Sequence, residues 1–259
     1  MMGTMQGPYG GYKPLLTFRI FGGKVMARTA QDLSLPEQIL LLALRDEKGT
    51  IDFHAGIYTV ALGGAILAEL LIAERIRVGE DGKKLVEAVA SRPCGDAILD
   101  ECLTMISTAP RRRSATAWVS RFAGIRRLKH RIAGELCRKG ILRNSEDQVL
   151  LIFTRKVYPT IDAEPERRLV ERMSEAIFGD GTSLDPRVGL VVTLAQAAKL
   201  LPIHFPKKEL SRRKARLQQI SKGDLVGSAA RSAVQAAQSA VMAAVMASVI
   251  AATASSAAR

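Results

Sequence analysis

The stretch "GIRRLKHRIAGELCRKGIL", residues 124–142, combines an apolar stripe with a strong excess of positive charge. Leu128, Ile132 and Leu136 recur every four residues, which places them on one face of an α-helix. Six Lys or Arg residues and one His share the stretch with a single Glu. Gly140 stands where a helix commonly ends in a left-handed residue. The pattern therefore predicts an amphipathic helix that packs on a hydrophobic core and exposes cations.

The positive charge of the chain is concentrated around this helix. Residues 111–143 contain eleven Lys or Arg residues against one acid, a net charge of +10, while the whole chain carries +13. An excess of this size is typical of proteins whose partners are anionic, namely nucleic acid, a phospholipid surface or acidic protein segments.

Composition and helical patterns favour a mostly α-helical globular domain. The 259 residues suffice for one large domain, and 47% are hydrophobic while only 5% are aromatic. The first helix is predicted from Ser34, which forms a capping box with Glu37. Short strands are predicted at 50–53 and 76–78, and a hairpin or a single strand at 148–159. Further helical patterns cover residues 60–75, 95–107, 114–124, 125–140, 165–178, 185–201, 206–221 and the Ala-rich segment from 226.

The domain organisation follows from the two ends of the chain. We expect a flexible basic tail over 1–33, one helical domain over 34–252 and a short tail over 253–259. Met26 is a candidate for the true start, because the first convincing helix follows it closely. The uncharged segment 232–258 is long enough to span a bilayer, but its Ala, Ser and Gln residues favour a packed helix.

Two features predict a cytoplasmic protein. Lys13 and Arg19 interrupt any apolar run that could serve as a secretory signal. The three cysteines, Cys94, Cys102 and Cys137, show no CxxC spacing, and their odd number argues against a disulfide framework.

Arg126 and Lys129 are the cations of the central helix that we single out. On a continuous helix from residue 125 they fall at the margin of the apolar stripe, beside the small residues Ala133 and Cys137. A cation at a core margin needs a paired carboxylate or a ligand anion. The pair is therefore interpreted either as a phosphate site or as half of an ordinary ion pair with a distant carboxylate.

The other cations of this helix are expected to point to solvent. They strengthen the local positive field without forming a site, as expected for a solvated charged face. These residues are Arg127, Arg131 and Arg138.

The hairpin sequence has two interpretations. Its apolar run is followed directly by Arg155 and Lys156, which suits either a buried strand or a loop tip that meets lipid with cations at headgroup level. Pairing of two copies through the same apolar residues is a further alternative. The run consists of Leu150, Leu151, Ile152 and Phe153.

Catalytic motifs find little support in the sequence. His54, His130 and His204 are isolated, and no His or Cys stands at metal-ligand spacing. The chain lacks GxGxxG, Walker A, HExxH and GxSxG patterns. We expect a protein that is not an enzyme and that holds no cofactor and no metal.

Six segments, taken in order, resemble the Golgi phosphoprotein 3 family of phosphoinositide-binding adaptors. The resemblance covers roughly residues 33–250, and the Ala-rich end is similar to that of the family's bacterial members. The segments are "LSLPEQILLLALRDEKG", "GGAILAELLIAERI", "GDAILDECL", "LKHRIAGELCRKGIL", "DPRVGLVVTLAQAAKLL" and the closing Ala-rich helix.

The resemblance implies a single helical domain around a central helical bundle, with short strands and a β-hairpin. It implies a peripheral protein on the cytosolic face of a membrane, which binds phosphatidylinositol 4-phosphate in a basic pocket and inserts its hairpin into the bilayer. The cytosolic tails of membrane enzymes are the implied protein partners.

The resemblance also assigns positions in this sequence. Two headgroup arginines of the family fall on Arg126 and Lys129, its headgroup-packing tryptophan falls on His54, and a further arginine falls on Gly63. The inserting hairpin falls on 150–158, which includes Tyr158. The changes at 54 and 63 leave phosphatidylinositol 4-phosphate and other anionic headgroups as alternatives, with Arg127, Arg131, Arg155 and Lys156 as electrostatic support.

Nucleic-acid binding is the alternative function. A basic helix over 118–139, a Gly stop and a hairpin with Arg155 and Lys156 also suit a winged helix. A recognition helix usually offers Asn, Gln or Ser to base edges, whereas this one offers mainly Arg and Lys, which contact phosphate without reading sequence.

Overall fold

The computed structural model describes residues 33–45, 48–52, 57–79, 85–89, 92–149 and 153–226, with a few positions of the Ala-rich segment between 234 and 247. Within these residues the chain is mostly helical, with short antiparallel strands, which confirms the predicted fold class.

The elements follow one another along the chain as α1 (Leu35–Ala43), α2 (Tyr58–Ile72), β1 (Ile76–Val78), β2 (Leu85–Ala88), α3 (Ala97–Ser107), β3 (Arg113–Ser114), α4 (Ala115–Ala123), α5 (Leu128–Arg138), β4 (Ser145–Val149) and β5 (Phe153–Val157). The second half is helical in its described residues, as α6 (Glu164–Phe178), α7 (Pro186–Ala197), α8 (Leu201–His204), α9 (Lys207–Arg212) and α10 (Lys214–Lys222).

The core surrounds α1, whose residues are all buried. Apart from Glu37 and Gln38 in its first turn, its sequence is apolar, as expected of a central helix that other helices cover. The predicted capping box is confirmed, because the Ser34 backbone N–H donates to Glu37 Oε2 at 2.8 Å. Gly63 lets α2 approach α4 closely, since a Cβ at this position would lie 2.4 Å from the Val119 carbonyl oxygen.

Two contacts fix the direction of α5 relative to α1. At one end, Lys139 just after α5 lies 2.6 Å through its Nζ from Oε2 of Glu37 in the first turn of α1. At the other end, the first turn of α5 lies beside Thr50 and Ile51, which follow α1. The two helices therefore run antiparallel, and the basic first turn of α5 lies where α1 ends.

The strands form two small antiparallel sheets. One has the order β1-β2-β3, and the other is the hairpin of β4 and β5, in which Asp147 faces Arg155 and Glu146 faces Lys156. The predicted strand at 76–78 and the hairpin are thus confirmed. The pairing of β2 and β3 was not predicted, because strands of two to four residues are too short to show an alternating pattern.

Two predicted helices are broken in the structure. The continuous helix over 118–139 is interrupted between Ala123 and Leu128, where Arg127 adopts a left-handed conformation with φ +58°. The helix over 206–221 is likewise divided at Arg213 into α9 and α10. The separate helical patterns over 114–124 and 125–140 agree with the first break, although they do not show that α5 begins only at Leu128, and the continuous helix belonged to the winged-helix alternative. Hydrophobic periodicity did not show the break at Arg213, because both halves of that segment continue the apolar pattern.

The predicted ends of the chain lie largely outside the described residues. This applies to the tail over 1–33, apart from Leu33, and to the tail over 253–259. In the Ala-rich segment, Val234 and Gln238 are helical and buried, and Gln238 donates to the Ile220 carbonyl oxygen at 2.8 Å. Among the helices that the structure describes, none combines the length and the apolar character needed to cross a bilayer.

Candidate functional site

A basic hollow of about 630 Å³ opens at the end of the bundle where α1 ends. Its described lining contains four fixed cations and one histidine but no carboxylate. The lining residues are Thr50, Ile51, Arg127, Lys129, His130, Arg155 and Lys156. They come from the turn after α1, from the start of α5 and from β5, so the site exists only once these three segments meet.

The turn after α1 forms one wall of the hollow and depends on Gly49. The Tyr158 backbone N–H donates to the Gly49 carbonyl oxygen at 2.9 Å, which ties the turn to the end of β5. Gly49 has φ +58°, and a Cβ there would lie 2.2 Å from the Pro159 nitrogen. Only glycine fits this close, left-handed position.

The start of α5 forms the opposite wall. Arg127 precedes the helix as its N-cap residue, with the positive φ that favours glycine or asparagine. The break turns α5 relative to α4, and it changes which cations face the hollow. Arg127, expected to point to solvent and to give electrostatic support only, lines the hollow, whereas Arg126 is exposed and lies outside the described lining.

Lys129 is the half-buried cation of the hollow. Burial lowers the pKa of its ammonium group, and the nearby guanidinium of Arg155 lowers the pKa further. Within the described part of the chain, no carboxylate forms an ion pair with Lys129. A cation in this position is stabilised when an anion enters the hollow.

His130 links the hollow to the base of the hairpin. Its Nδ1 lies 2.8 Å from the hydroxyl oxygen of Tyr158, which is 3% exposed. Burial lowers the pKa of His130, and the charges of Lys129, Lys156 and Arg127 lower the pKa further. A neutral imidazole can accept the phenol proton at Nδ1 and offer its Nε2–H as a donor.

The hairpin contributes two cations of different character. Arg155 Nη2 lies 2.6 Å from Asp147 Oδ2 on the neighbouring strand, so part of the arginine's charge is neutralised within the hairpin. Lys156 is exposed and has no carboxylate within ion-pair distance among the described residues. The hollow therefore keeps an excess of positive charge even after this ion pair is counted.

The other predicted site residues lie elsewhere or outside the described residues. Arg131 forms an ion pair with Glu101 on α3, and Gly63 is buried between α2 and α4, so neither lines the hollow. His54 and residues 150–152 lie outside the described residues, as does the side chain of Phe153. Tyr158 is buried at the base of the hairpin.

Sequence reasoning missed Thr50, Ile51 and His130 as lining residues. Thr50 and Ile51 were predicted only as part of a short strand, and no periodicity shows that this strand meets α5. The one available signal for His130 was its position directly after Lys129 in the first turn of the basic helix.

A second hollow, of about 560 Å³, lies at the opposite end of the bundle and is balanced in charge. Its acids and cations largely neutralise one another: Glu37 pairs with Lys139, Glu69 with Arg187, and Glu135 with Arg138. Asp96 accepts from the N–H groups that open α3. Of the two hollows, the basic hollow is therefore the one with unpaired positive charge among its described lining residues.

The possible metal ligands of the described residues lie apart from one another. In that part of the chain, no three His, Cys, Asp or Glu side chains come close enough together to hold a metal ion. The basic hollow offers hydrogen-bond donors and positive charge, which suit an oxyanion.

A mostly helical domain with a basic hollow at one end is the class of protein that this fold and site define. The sequence model of the family described as Golgi phosphoprotein 3 (GPP34) matches residues 35–237, and the chain belongs to this family. The family resemblance found in the sequence is therefore confirmed, while a bacterial-type subgroup stays a prediction.

A curated relative is similar over part of its length. Vacuolar protein sorting-associated protein 74 of Schizosaccharomyces pombe is 30% identical over 172 residues. The matched region covers 59% of this chain and 50% of the relative, so the chain spans about half the length of the curated relative that it matches.

Proposed function

We propose that this protein is a non-enzymatic, peripheral membrane adaptor that binds an anionic lipid headgroup in the basic hollow. In this proposal it lies on the cytosolic face of a membrane. The observation that supports the proposal is Lys129, which is half-buried without a carboxylate partner among the described residues. A phosphate group that enters the hollow supplies the missing negative charge and accepts hydrogen bonds from several donors.

Electrostatics favours a headgroup with more than one negative charge. The described lining has four fixed cations, and only Arg155 has an ion-pair partner there. A phosphomonoester carries close to two negative charges at neutral pH, whereas a diester phosphate carries one. A phosphoinositide such as phosphatidylinositol 4-phosphate fits this requirement, and it agrees with the family resemblance.

This chain differs from the family pattern at two positions of the expected headgroup pocket. Position 54 carries His in place of the headgroup-packing tryptophan, and position 63 carries Gly in place of an arginine. An arginine side chain at 63 has no room beside the Val119 carbonyl oxygen in this packing. Another anionic phosphate headgroup is therefore the alternative ligand in the same hollow.

The hairpin is proposed as the part of the protein that enters the bilayer. Its base is held by the contact between Tyr158 and His130, next to the hollow. The apolar run over 150–153 follows β4 and precedes the cations of β5. Such an arrangement suits apolar side chains in the lipid with cations at headgroup level.

The proposed protein partners are cytosolic tails of membrane enzymes. The printed name of the relative assigns it to vacuolar protein sorting. Together with family membership, this supports a role in sorting membrane proteins, in which the headgroup site recruits the adaptor and other surfaces bind its cargo. Self-association through the apolar hairpin is a further proposal.

Liposome flotation tests the headgroup site. We expect Lys129→Gln to lower the fraction of protein recovered with phosphatidylcholine vesicles that contain phosphatidylinositol 4-phosphate by about tenfold, because charge-assisted bonds contribute about 1.5–3 kcal/mol. Arg111→Gln is the matched control. This exposed arginine precedes β3, at the far end of the bundle, and lies outside the hollow.

The result that contradicts the proposal is equally clear. If vesicles with phosphatidylinositol 4-phosphate or other anionic lipids recover no more wild-type protein than neutral vesicles, the hollow is not a headgroup site. Binding of duplex DNA with a sequence preference, and not of vesicles, would support the nucleic-acid alternative, although the break at residues 124–127 removes its continuous recognition helix.

A further inference from the structure

Several loops and helix ends meet at the end of the bundle where α1 ends. Leu44, just after α1, pairs with Ile51 in the wall of the basic hollow. On the other side of the same helix end, the His204 ring nitrogen Nε2 lies 2.9 Å from the Leu42 carbonyl oxygen. The segment that joins α7, α8 and α9 therefore lies on the order of 15 Å from the hollow.

This neighbouring segment exposes three lysines, which we call the lysine ridge. Lys199 lies between α7 and α8, whereas Lys207 and Lys208 open α9. All three are exposed, and none has a carboxylate within ion-pair distance among the described residues. Lys48, also exposed, precedes Gly49 and Thr50 in the turn that forms one wall of the hollow. The first turn of α9 also exposes the carboxylate of Glu209, so this end of the molecule presents an excess of cations rather than cations alone.

Lys199 occupies a backbone position that does not suit lysine. Its φ is +59°, and it follows the end of α7, where glycine is the usual residue. A side chain with a Cβ is strained in this conformation. The structure thus places a lysine on the cationic face at a cost in backbone strain, which suggests that its charge has a use there.

We propose that the lysine ridge is a second contact with the membrane, which binds the charge of an anionic lipid surface. The inference rests on the proposed function of the basic hollow, because a lipid headgroup in the hollow brings this end of the molecule against a flat, negatively charged layer. Cations that share this end then lie within a Debye length of the lipid phosphates. The hollow selects the headgroup, and the ridge adds affinity and sets the orientation of the domain.

The apolar hairpin favours a lipid surface over nucleic acid as the partner. The ridge and the hollow lie side by side at one end, and the apolar hairpin emerges from the same end. An apolar hairpin has a place in a bilayer, whereas it has none against the polar backbone of a duplex.

Vesicle binding of the full chain tests the ridge with two variants, Lys199→Gly and the double variant Lys207→Gln/Lys208→Gln. Vesicles of phosphatidylcholine with phosphatidylserine measure contact with surface charge, and soluble inositol phosphate measures the hollow alone. We expect affinity for the vesicles to fall about fivefold for each lysine removed, with a weaker dependence on salt. Affinity for the soluble inositol phosphate stays unchanged.

Lys199→Gly separates loss of charge from loss of fold. Glycine relieves the strained φ, so this variant should melt at or above the temperature of the wild type while it binds the vesicles more weakly. Arg111→Gln is again the control with the same change in net charge. Arg111 lies just before β3, and the β1-β2-β3 sheet begins just after α2. The end of α2 lies beside the start of α1, because Glu69 accepts from the Leu35 backbone N–H. The control is therefore at the opposite end of the bundle from the ridge.

Each outcome decides the inference. Wild-type affinity of both ridge variants for the vesicles overturns it, and so does an equal loss in Arg111→Gln, which indicates diffuse charge. The inference is also overturned if the ridge variants lose more affinity for duplex DNA than for the vesicles. If wild-type protein binds the vesicles through the ridge but does not bind inositol phosphate, the proposed function of the hollow fails while the inference stands.

Discussion

Lys129 illustrates how one residue can be stabilised by a ligand that is not part of the protein. Its ammonium group is half-buried beside Arg155, and both burial and this neighbouring charge lower its pKa. The folded protein keeps the charge because the hollow is open to water, at some cost in stability. Binding sites often retain such unfavourable groups, since the ligand later removes the penalty.

The stability of the unbound protein should depend on pH through His130. Its pKa is lowered in the folded state, first by burial and then by Lys129, Lys156 and Arg127, and Tyr158 holds its Nδ1. The unfolded chain therefore binds the proton more readily. The contribution of His130 to the free energy of unfolding is fully present above the pKa that it has in the unfolded chain, about 6.5. This contribution is lost as the pH falls through the lower pKa of the folded state.

We expect the melting temperature of the wild type to fall between about pH 7.5 and pH 5.5, and His130→Gln to reduce this fall by a few degrees. Differential scanning fluorimetry across this pH range measures both. Because other groups also titrate in this range, the quantity to compare at each pH is the difference in melting temperature between the wild type and His130→Gln. A constant difference contradicts the assignment.

At the scale of an element, the hairpin contains a carboxylate that competes with a ligand anion for one cation of the hollow. Asp147 and Arg155 face each other across β4 and β5, and their ion pair is about half exposed. An exposed pair of this kind contributes little to stability, about 0.2–1 kcal/mol. Its larger effect is on the hollow, because Asp147 lowers the positive potential that a ligand meets.

Asp147→Asn should therefore strengthen anion binding. Removal of the carboxylate leaves Arg155 fully available, so we expect the affinity for soluble inositol phosphate to rise about two- to fivefold, with little change in stability. Isothermal titration calorimetry measures the affinity. Asp180→Asn, which removes an exposed carboxylate paired with Arg213 outside the hollow, should change nothing. Weaker binding by Asp147→Asn would show that Asp147 instead positions Arg155.

At the scale of the whole molecule, a buried ion pair holds the central helices in register. Glu37 is 2% exposed in the first turn of α1, and it accepts from the Ser34 backbone N–H and from Lys139 Nζ. This contact joins residues 102 positions apart in the chain. It fixes the antiparallel arrangement of α1 and α5 that places the basic turn of α5 at the end of α1.

Lys139→Met should destabilise the fold by about 2–4 kcal/mol, because it leaves the buried Glu37 carboxylate without its cation. Urea denaturation measures the free energy of unfolding. The double variant Glu37→Gln/Lys139→Met should recover most of the loss, since it removes the uncompensated charge. A double variant as unstable as Lys139→Met would indicate that the lysine stabilises through packing of its side chain instead.

Most of the elements could be predicted from the sequence, because their signals are local. The predicted capping box of Ser34 and Glu37 is confirmed, and Asp96 and Asp185 likewise accept hydrogen bonds within one turn at the starts of their helices. The mostly helical class and the excess of positive charge near Lys129 likewise needed only composition and spacing.

Tertiary packing selects which of these residues line the hollow. The wheel of a continuous helix placed Arg126 beside Lys129, but the break at Arg127 exchanged the two arginines, because a single left-handed residue redirects every side chain that follows. Thr50, His130 and Lys156 meet Lys129 only through the packing of α1, α5 and the hairpin. A hollow depends on contacts between residues distant in sequence, whereas helical periodicity describes only residues within a few turns.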